Sequence, residues 1–271
     1  MDGPRHERFT REPPTGISTE GELELQPFHD PASSLAVVGQ GRLGCALAPA
    51  LAAAGVEVTG PLGRGVEISG FEAVLLCVPD GEIASAAAAI APGPLVGHCS
   101  GATGLEPLAP HEAFSLHPLM TVTGHGSRFA GAGAAVAGSS SRAVAYARSL
   151  AEKLDMEPVG VAPADRAAYH AAASIASNFL ITLEAAAERL ARSVGVERRL
   201  LVPLVRATVE NWAELGAARA LTGPVARGDE RTVAAQRAAL LARAPELLSL
   251  FDALVDATRA LADRPVLEGA R

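Results

Sequence analysis

The chain has 271 residues, 49% hydrophobic, 20% charged and 4% aromatic, which is apolar enough for one large core or two modest ones and too apolar for disorder throughout. Its 23 basic and 30 acidic side chains give a formal charge of −7, which argues against a surface that binds nucleic acid by neutralising phosphates. Cys45, Cys77 and Cys99 lie far apart with no C-x-x-C pair, so the sequence suggests neither a disulfide framework nor a thiolate zinc site, and a reducing cytoplasm is expected.

Residues 1–32 are charged and proline-rich without the apolar stretch of a signal peptide, and are expected to form a disordered tail. No run of 18 or more apolar residues is present, so no membrane span is expected. From Leu35, short apolar runs alternate with alanine-rich helical stretches. Strands are predicted at Leu35–Val38, Val56–Thr59, Ala73–Val78, Leu95–His98, Ala113–Leu116, Ala134–Ala137 and Pro158–Val161, and helices at Leu43–Ala54, Ile83–Ala91 and Ser141–Leu154. Successive βα units of this kind predict an α/β domain of Rossmann type over 33–162, a doubly wound, mostly parallel sheet.

After Pro163 the strand-like runs end. Apolar residues then recur at helical spacing, predicting a second, all-helical domain over 163–271 with helices near Asp165–Val194, Glu197–Leu215, Glu230–Ala242 and Pro245–Ala262. The first is long, and Ala171, Ala172 and Ala173 would let a partner helix approach closely. A homodimer joined through this domain is therefore expected.

Gly39-Gln40-Gly41-Arg42-Leu43-Gly44 stands between an apolar strand and a helical run, the context a dinucleotide-binding fingerprint requires. The first glycine permits the turn, the second admits the pyrophosphate to the backbone, and the third lets helix and strand pack. A plain glycine-rich turn is the competing reading. No acid ends the second strand to hold a ribose 2′-hydroxyl, whereas Arg42 and Arg64 could flank a 2′-phosphate, so NADP is preferred and NAD remains possible. An ordinary solvated arginine would also account for Arg64. Val78 and Pro79, ending a buried strand, should approach the cofactor, while Cys77 reads as a small core residue.

His98 and Ser100 end one predicted strand and His117 the next, on the edge where the nicotinamide should lie. A protonated histidine there could donate a proton as hydride arrives, although both histidines could instead fix loop carbonyls at the strand ends. Arg166, His170, Ser174 and Asn178, spaced four apart, form a polar stripe among alanines, with Tyr169 and Ser177 on the adjacent face. A polar cleft explains the stripe better than a solvated outer face. Gly223 and Arg227 belong to a loop between helices, where Arg227 could hold a carboxylate and Asp229 cap the helix that follows. His6, His29, His111 and His125 lie in tail or loop segments without metal-ligand spacing. No metal is expected, and His111 and His125 read as exposed loop residues.

The strings His98-Cys99-Ser100-Gly101, His117-Pro118-Leu119 and Leu221-Thr222-Gly223-Pro224-Val225-Ala226-Arg227-Gly228-Asp229, with Tyr169-His170 and Ser177-Asn178, resemble a bacterial family that pairs a Rossmann-like domain with a C-terminal helical domain of unknown function. The likeness spans about residues 33 to 262. That family is similar to the reductases whose helical domain is like that of 6-phosphogluconate dehydrogenase, ketopantoate and pyrroline-carboxylate reductases among them. The resemblance implies an NADP-dependent reductase of a small carboxylate-bearing carbonyl or imine, with a 2-oxo acid such as ketopantoate as the single best candidate. It also suggests that the Gly223–Asp229 loop holds the substrate carboxylate. Ketopantoate reductases carry a lysine acid where this chain has Arg166, and arginine does not give up a proton near neutrality. The acid is then His170 or His117, Ser174 and Asn178 complete the catalytic set, and Arg166, Arg227, Ser100 and Gly223 bind the substrate. The alternative is a dinucleotide-binding sensor without turnover.

Overall fold

The computed structural model describes residues 34–123 and 126–263. The expected tail, with His6 and His29, and also His125, lie outside the described residues. Seven strands form one sheet: β1 (Leu35–Val38), β2 (Val58–Leu62), β3 (Ala73–Leu76), β4 (Leu95–His98), β5 (Ala113–Leu119), β6 (Gly133–Gly138) and β7 (Glu157–Gly160). Their order is β2-β1-β3-β4-β5-β6-β7, and every neighbouring pair is parallel except β5 and β6. The chain passes from β1 to β2 on one side and then places β3 on the other side of β1. That reversal opens a crevice at the carboxyl ends of β1 and β3, where ligands of open α/β sheets bind.

The central strands are continuous apolar runs because both of their faces are covered. Leu35, Val37, Leu75 and Leu116 pack with Leu47, Leu51 and Leu150 from helices α1 (Arg42–Ala53) and α3 (Ser141–Lys153). On the opposite face Ala36, Val74, Leu76 and Val96 pack with Ile83 and Ala87 of α2 (Ile83–Ala88). Alternate residues of one strand thus serve two layers, as the pleat requires.

Three strands depart from expectation by two residues or more: β3 ends at Leu76 and not at Val78, and β2 and β5 are shifted or extended. β2 starts two residues later than the apolar run at Val56, because Val56 is buried and its N–H closes the end of α1 on Leu51, so pairing with β1 begins at Val58. At the sheet edge β2 then runs through Gly60 and Pro61, which an edge strand tolerates. β5 extends three residues further than predicted, to Leu119, because β6 returns antiparallel beside it, pairing His117 with Ala135 and Pro118 with Ala134. His117 therefore stands on a strand, and not in the turn after one.

The remainder is helical: α4 (Arg166–Ser174), a π turn (Ile175–Phe179), α5 (Leu180–Arg192), α6 (Arg198–Leu215), a short α7 (Ala217–Ala220), α8 (Glu230–Arg243) and α9 (Leu248–Ala262). The expected helix over Asp165–Val194 is α4 and α5 joined through the π turn. Asp229 caps α8, accepting the Thr232 N–H at 3.0 Å. Among the described residues, no helix is long and apolar enough to cross a membrane.

Candidate active site

The fingerprint turn joins β1 to α1. Gly41 is the N-cap of α1 with no side-chain cap and no acidic residue in the first turn, so the first N–H groups and the positive end of the helix dipole face the crevice. The three glycines differ in what surrounds them. A methyl on Gly39, whose φ is +119°, would lie 2.2 Å from the Cys77 carbonyl oxygen, and one on Gly44 would lie 1.9 Å from the Gly39 oxygen. A methyl on Gly41 would meet nothing within 4 Å. Gly39 and Gly44 are required by packing, whereas the open space at Gly41 is a cradle that a side chain would fill. The turn therefore fits a pyrophosphate.

Two cavities meet at Gly41, Cys77, Val78 and Pro79. One, about 690 Å³, runs from Gly39 and Gln40 past Leu62–Ile68 to Glu82 and Ala89. The other, about 390 Å³, runs from Arg42 and Leu43 over Asp80, Cys99 and Ser100 to His117 and Met120. Together they make one crevice bent around the fingerprint. Arg42 and Arg64 are not brought together: Arg42 faces the His117 end, while Arg64 is in the larger cavity, exposed, with Glu82 at 3.3 Å. The Gln40 amide reaches the Pro61 carbonyl at 3.5 Å, bridging the turn to β2.

At the carboxyl end of β4, His98 is fully buried. Its Nδ1 accepts the Ser100 N–H at 3.1 Å and its Nε2 donates to the Gly104 carbonyl at 2.7 Å, so both ring nitrogens serve the backbone. Burial holds its pKa below the ordinary value, with the Gly104 bond opposing. For His98 the loop-fixing reading fits. The Ser100 hydroxyl donates to Asp80 at 2.7 Å and accepts the N–H groups of Ala102 and Thr103, which occupies its one proton and both lone pairs. Thr103 donates to the same Asp80 oxygen at 3.1 Å. These bonds shape the loop after β4, and the geometry leaves the Ser100 hydroxyl no capacity for a substrate.

His117 projects from β5 toward α4. Its Nδ1 lies 2.7 Å from the Tyr169 hydroxyl, its ring centroid is 5.6 Å from that of Tyr169 and 6.3 Å from that of His170. Gly101 leaves room for both imidazoles: a methyl there would come within 2.8 Å of both rings. Burial first, then the neighbouring His170 and Arg166, push the His117 pKa down to about 4. It is neutral at pH 7, which corrects the expectation of a protonated donor at this position. Burial also raises the Tyr169 pKa, so its hydroxyl keeps its proton.

Arg166, 6% exposed, directs Nη2 at the Ser100 carbonyl (2.8 Å) and the Ser115 hydroxyl (3.2 Å), and its buried Nε has no partner. Through Nη2 it clamps α4 to the sheet, which accounts for a polar residue at the start of the stripe. His170 is exposed and Ser174 half-buried. Asn178 falls in the π turn, where the helical spacing that aligned it with Ser174 is broken, and its Oδ1 lies 3.0 Å from the Ser177 hydroxyl. Arg227 is exposed, with Asp229 as its electrostatic neighbour, and Gly223 is half-buried in the same loop. His111 is half-buried and bonds the Ala87 carbonyl at 3.1 Å, so it is not the exposed loop residue expected. Among the described residues no group of three histidine, cysteine, aspartate or glutamate side chains could hold a metal.

Sequence reasoning placed the Pro79-Asp80 turn beside the cofactor but left out the bonds Asp80 accepts from Ser100 and Thr103, the position of Gly101 and the part played by Tyr169. Tyr169 is adjacent to His170 in sequence, and Gly101 lies in a string already singled out. What was missing was the antiparallel return of β6 that fixes β5 and aims His117 at α4.

No curated protein matches this sequence. Residues 133–258 match the family model of a domain of unknown function, DUF2520. Among solved structures, BF3122 of Bacteroides fragilis, assigned as an NADP oxidoreductase, superposes with a TM-score of 0.73 at 20% identity, covering 84% of this chain and 98% of the other. Protein TM1727 of Thermotoga maritima gives 0.68 at 23% identity over the same shares, 84% and 98%. A reductive aminase of Aspergillus terreus, solved with NADPH and ethyl levulinate, gives 0.63 at 16% identity over 86% and 99%. The chain shares the fold of these proteins, a Rossmann-type sheet followed by a helical region.

Proposed function

We propose that this chain is an NADP-dependent reductase that transfers hydride to a small carbonyl or imine bearing a carboxylate, acting as a cytoplasmic homodimer. The observation that carries this reading is the crevice that runs from the fingerprint turn to His117, itself bonded to Tyr169, and that is lined midway by Gly41, a glycine that no contact inside the protein requires. Solved relatives of the fold described as binding or using NADP support the cofactor. Arg64, standing in the larger cavity, is the side chain for a 2′-phosphate. NADPH in this crevice would supply the hydride.

The proton is the task of the protein. With the Tyr169 hydroxyl donating to Nδ1, neutral His117 carries its proton on Nε2, a donor suited to a carbonyl oxygen or imine nitrogen. As Nε2–H is given up, Nδ1 takes the phenolic proton of half-buried Tyr169, and the tyrosinate so formed recovers a proton from water, with exposed His170 nearby. Ser174, one turn beyond His170 on α4, and Asn178, in the π turn that follows, are assigned to the substrate side of this helix. Because Arg166 is directed at Ser100 and Ser115, the anion role passes to Arg42 in the His117 cavity and to Arg227 on its exposed loop beside Gly223. The lysine acid of ketopantoate reductases has no counterpart in this chain, so the proposal stops at the substrate class.

The test is oxidation of NADPH with a panel of 2-oxo acids, aldehydes and cyclic imines. Turnover of at least one is expected, and His117→Gln should lower kcat by roughly 10²–10⁴ with little change in KM. Tight NADPH binding without turnover of any compound would leave a nucleotide-binding sensor instead.

A further inference from the structure

We propose that Cys77 and Cys99 form an oxidisable thiol pair in the floor of the crevice, which a hydroperoxide converts to a disulfide and thereby weakens cofactor binding. The pairing stands on its own geometry, and only its effect on NADPH rests on the reductase reading. Cys77 and Cys99 follow β3 and β4, adjacent parallel strands registered Leu76 to His98, with the Cys99 N–H on the Leu76 carbonyl at 3.3 Å. Their sulfurs are 3.7 Å apart and both are free thiols. Neighbouring strands lie about 4.8 Å apart, inside the Cα separation of about 4.4–6.8 Å that a disulfide spans. Both residues line the His117 cavity, and Cys77 also lines the larger one. The third cysteine is differently placed: the Cys45 thiol faces the Gln40 carbonyl at 3.4 Å.

The two thiols are unequal. Cys77 is half-buried and reached from both cavities, whereas Cys99 is buried, and the adjacent Cys77 and its burial push its thiol pKa up. Cys77 therefore meets the oxidant and Cys99 resolves the product. The Cys77 sulfur attacks one peroxide oxygen, the O–O bond breaks, and the other oxygen leaves as an alcohol, or as water from hydrogen peroxide, giving a sulfenic acid. The Cys99 sulfur then attacks the Cys77 sulfur, the S–O bond breaks and water departs with the Cys99 proton. Two electrons pass from the thiol pair to the peroxide, and no other reactant is needed. Gly39 packs against the backbone of Cys77 and Gly44 against its Cβ, so drawing the Cys77 side chain toward Cys99 disturbs the fingerprint turn from beneath.

The test treats the full chain with hydrogen peroxide, then counts thiols after denaturation and measures intact mass. Three thiols should fall to one, the mass should drop by two hydrogens, and a cross-linked peptide should join Cys77 to Cys99, all reversed by dithiothreitol. Cys45→Ser should form the same bond, and in Cys77→Ser the Cys99 thiol should stay reduced. Oxygen added to Cys77 without a link, or a link through Cys45, would overturn the proposal. In the second arm, the oxidised protein should bind NADPH about tenfold or more weakly, and saturating NADPH should slow oxidation comparably. A disulfide that leaves NADPH affinity unchanged would overturn the effect on the cofactor. Reduced protein that fails to bind NADPH while still forming the disulfide would sink the reductase reading alone.

Discussion

Gly39, Gly41 and Gly44 belong to one hexapeptide, yet a single added methyl separates them. At Gly39 it collides with the Cys77 carbonyl at a φ of +119°, so Gly39→Val should cost about 3 kcal/mol or more and show as a lowered urea midpoint. Gly41→Val should leave that midpoint nearly unchanged while abolishing NADPH binding in a fluorescence titration, because the side chain fills only the crevice. Arg64→Ala should weaken NADPH roughly tenfold or more and leave NADH alone. Retained NADPH affinity in Gly41→Val would remove the fingerprint from the functional account. His117 offers a second test at this scale. Its folded pKa of about 4 lies below the unfolded value of about 6.5, so between those limits the unfolded chain binds more protons. The associated stability is present above pH 6.5 and lost as pH falls toward 4, by up to about 3 kcal/mol, with buried His98 acting in the same direction. Urea midpoints at pH 7 and 4.5 should diverge less in His117→Gln than in the wild type; an equal divergence would place the titration elsewhere.

Helix α4 is the element that makes a site out of a strand end. It brings Tyr169 and His170 to His117, and Arg166 fastens its first turn to the loop after β4 and to β5. Arg166→Leu removes two hydrogen bonds from a buried cation and should cost about 2–4 kcal/mol, accompanied by a fall in kcat as Tyr169 loses its placement. A variant with normal kcat and lowered stability would show that the clamp does not position the tyrosine. The stripe Arg166, His170, Ser174, Asn178 was legible as a helical face at four-residue spacing. Its division of labour was not, because exposure differs along it from buried Arg166 to exposed His170, and the π turn takes Asn178 out of line.

At the scale of the whole molecule, the sheet and the helices α1 to α3 bury most of their apolar residues, whereas the stretch from the π turn through α6 leaves many of its own uncovered. Ile175, Phe179, Ile181, Leu200, Leu204 and Trp212, on the continuous run from the π turn through α6, are each more than half exposed. Exposed apolar side chains of this number fit the proposed homodimer, in which a second copy of the chain would supply a surface of the same character. Light scattering at micromolar concentration should give the mass of a dimer, and Ile181→Glu with Leu204→Glu should give a monomer that still binds NADPH. A monomeric wild type would overturn the homodimer.

The sequence by itself determined the sheet core, the fingerprint turn and the change to helices after Pro163, because apolar runs, glycine spacing and helical periodicity are local properties of the chain. It also brought His117, His170 and the polar helix face into consideration. Only the tertiary structure decided what each polar residue faces. The antiparallel return of β6 and the docking of α4 are pairings between distant segments. They turn Arg166 toward the protein and leave His117 with Tyr169 at the end of a crevice, while the loop after β4 occupies His98 and Ser100 and the pairing of β3 with β4 places the Cys77 and Cys99 sulfurs 3.7 Å apart beneath it.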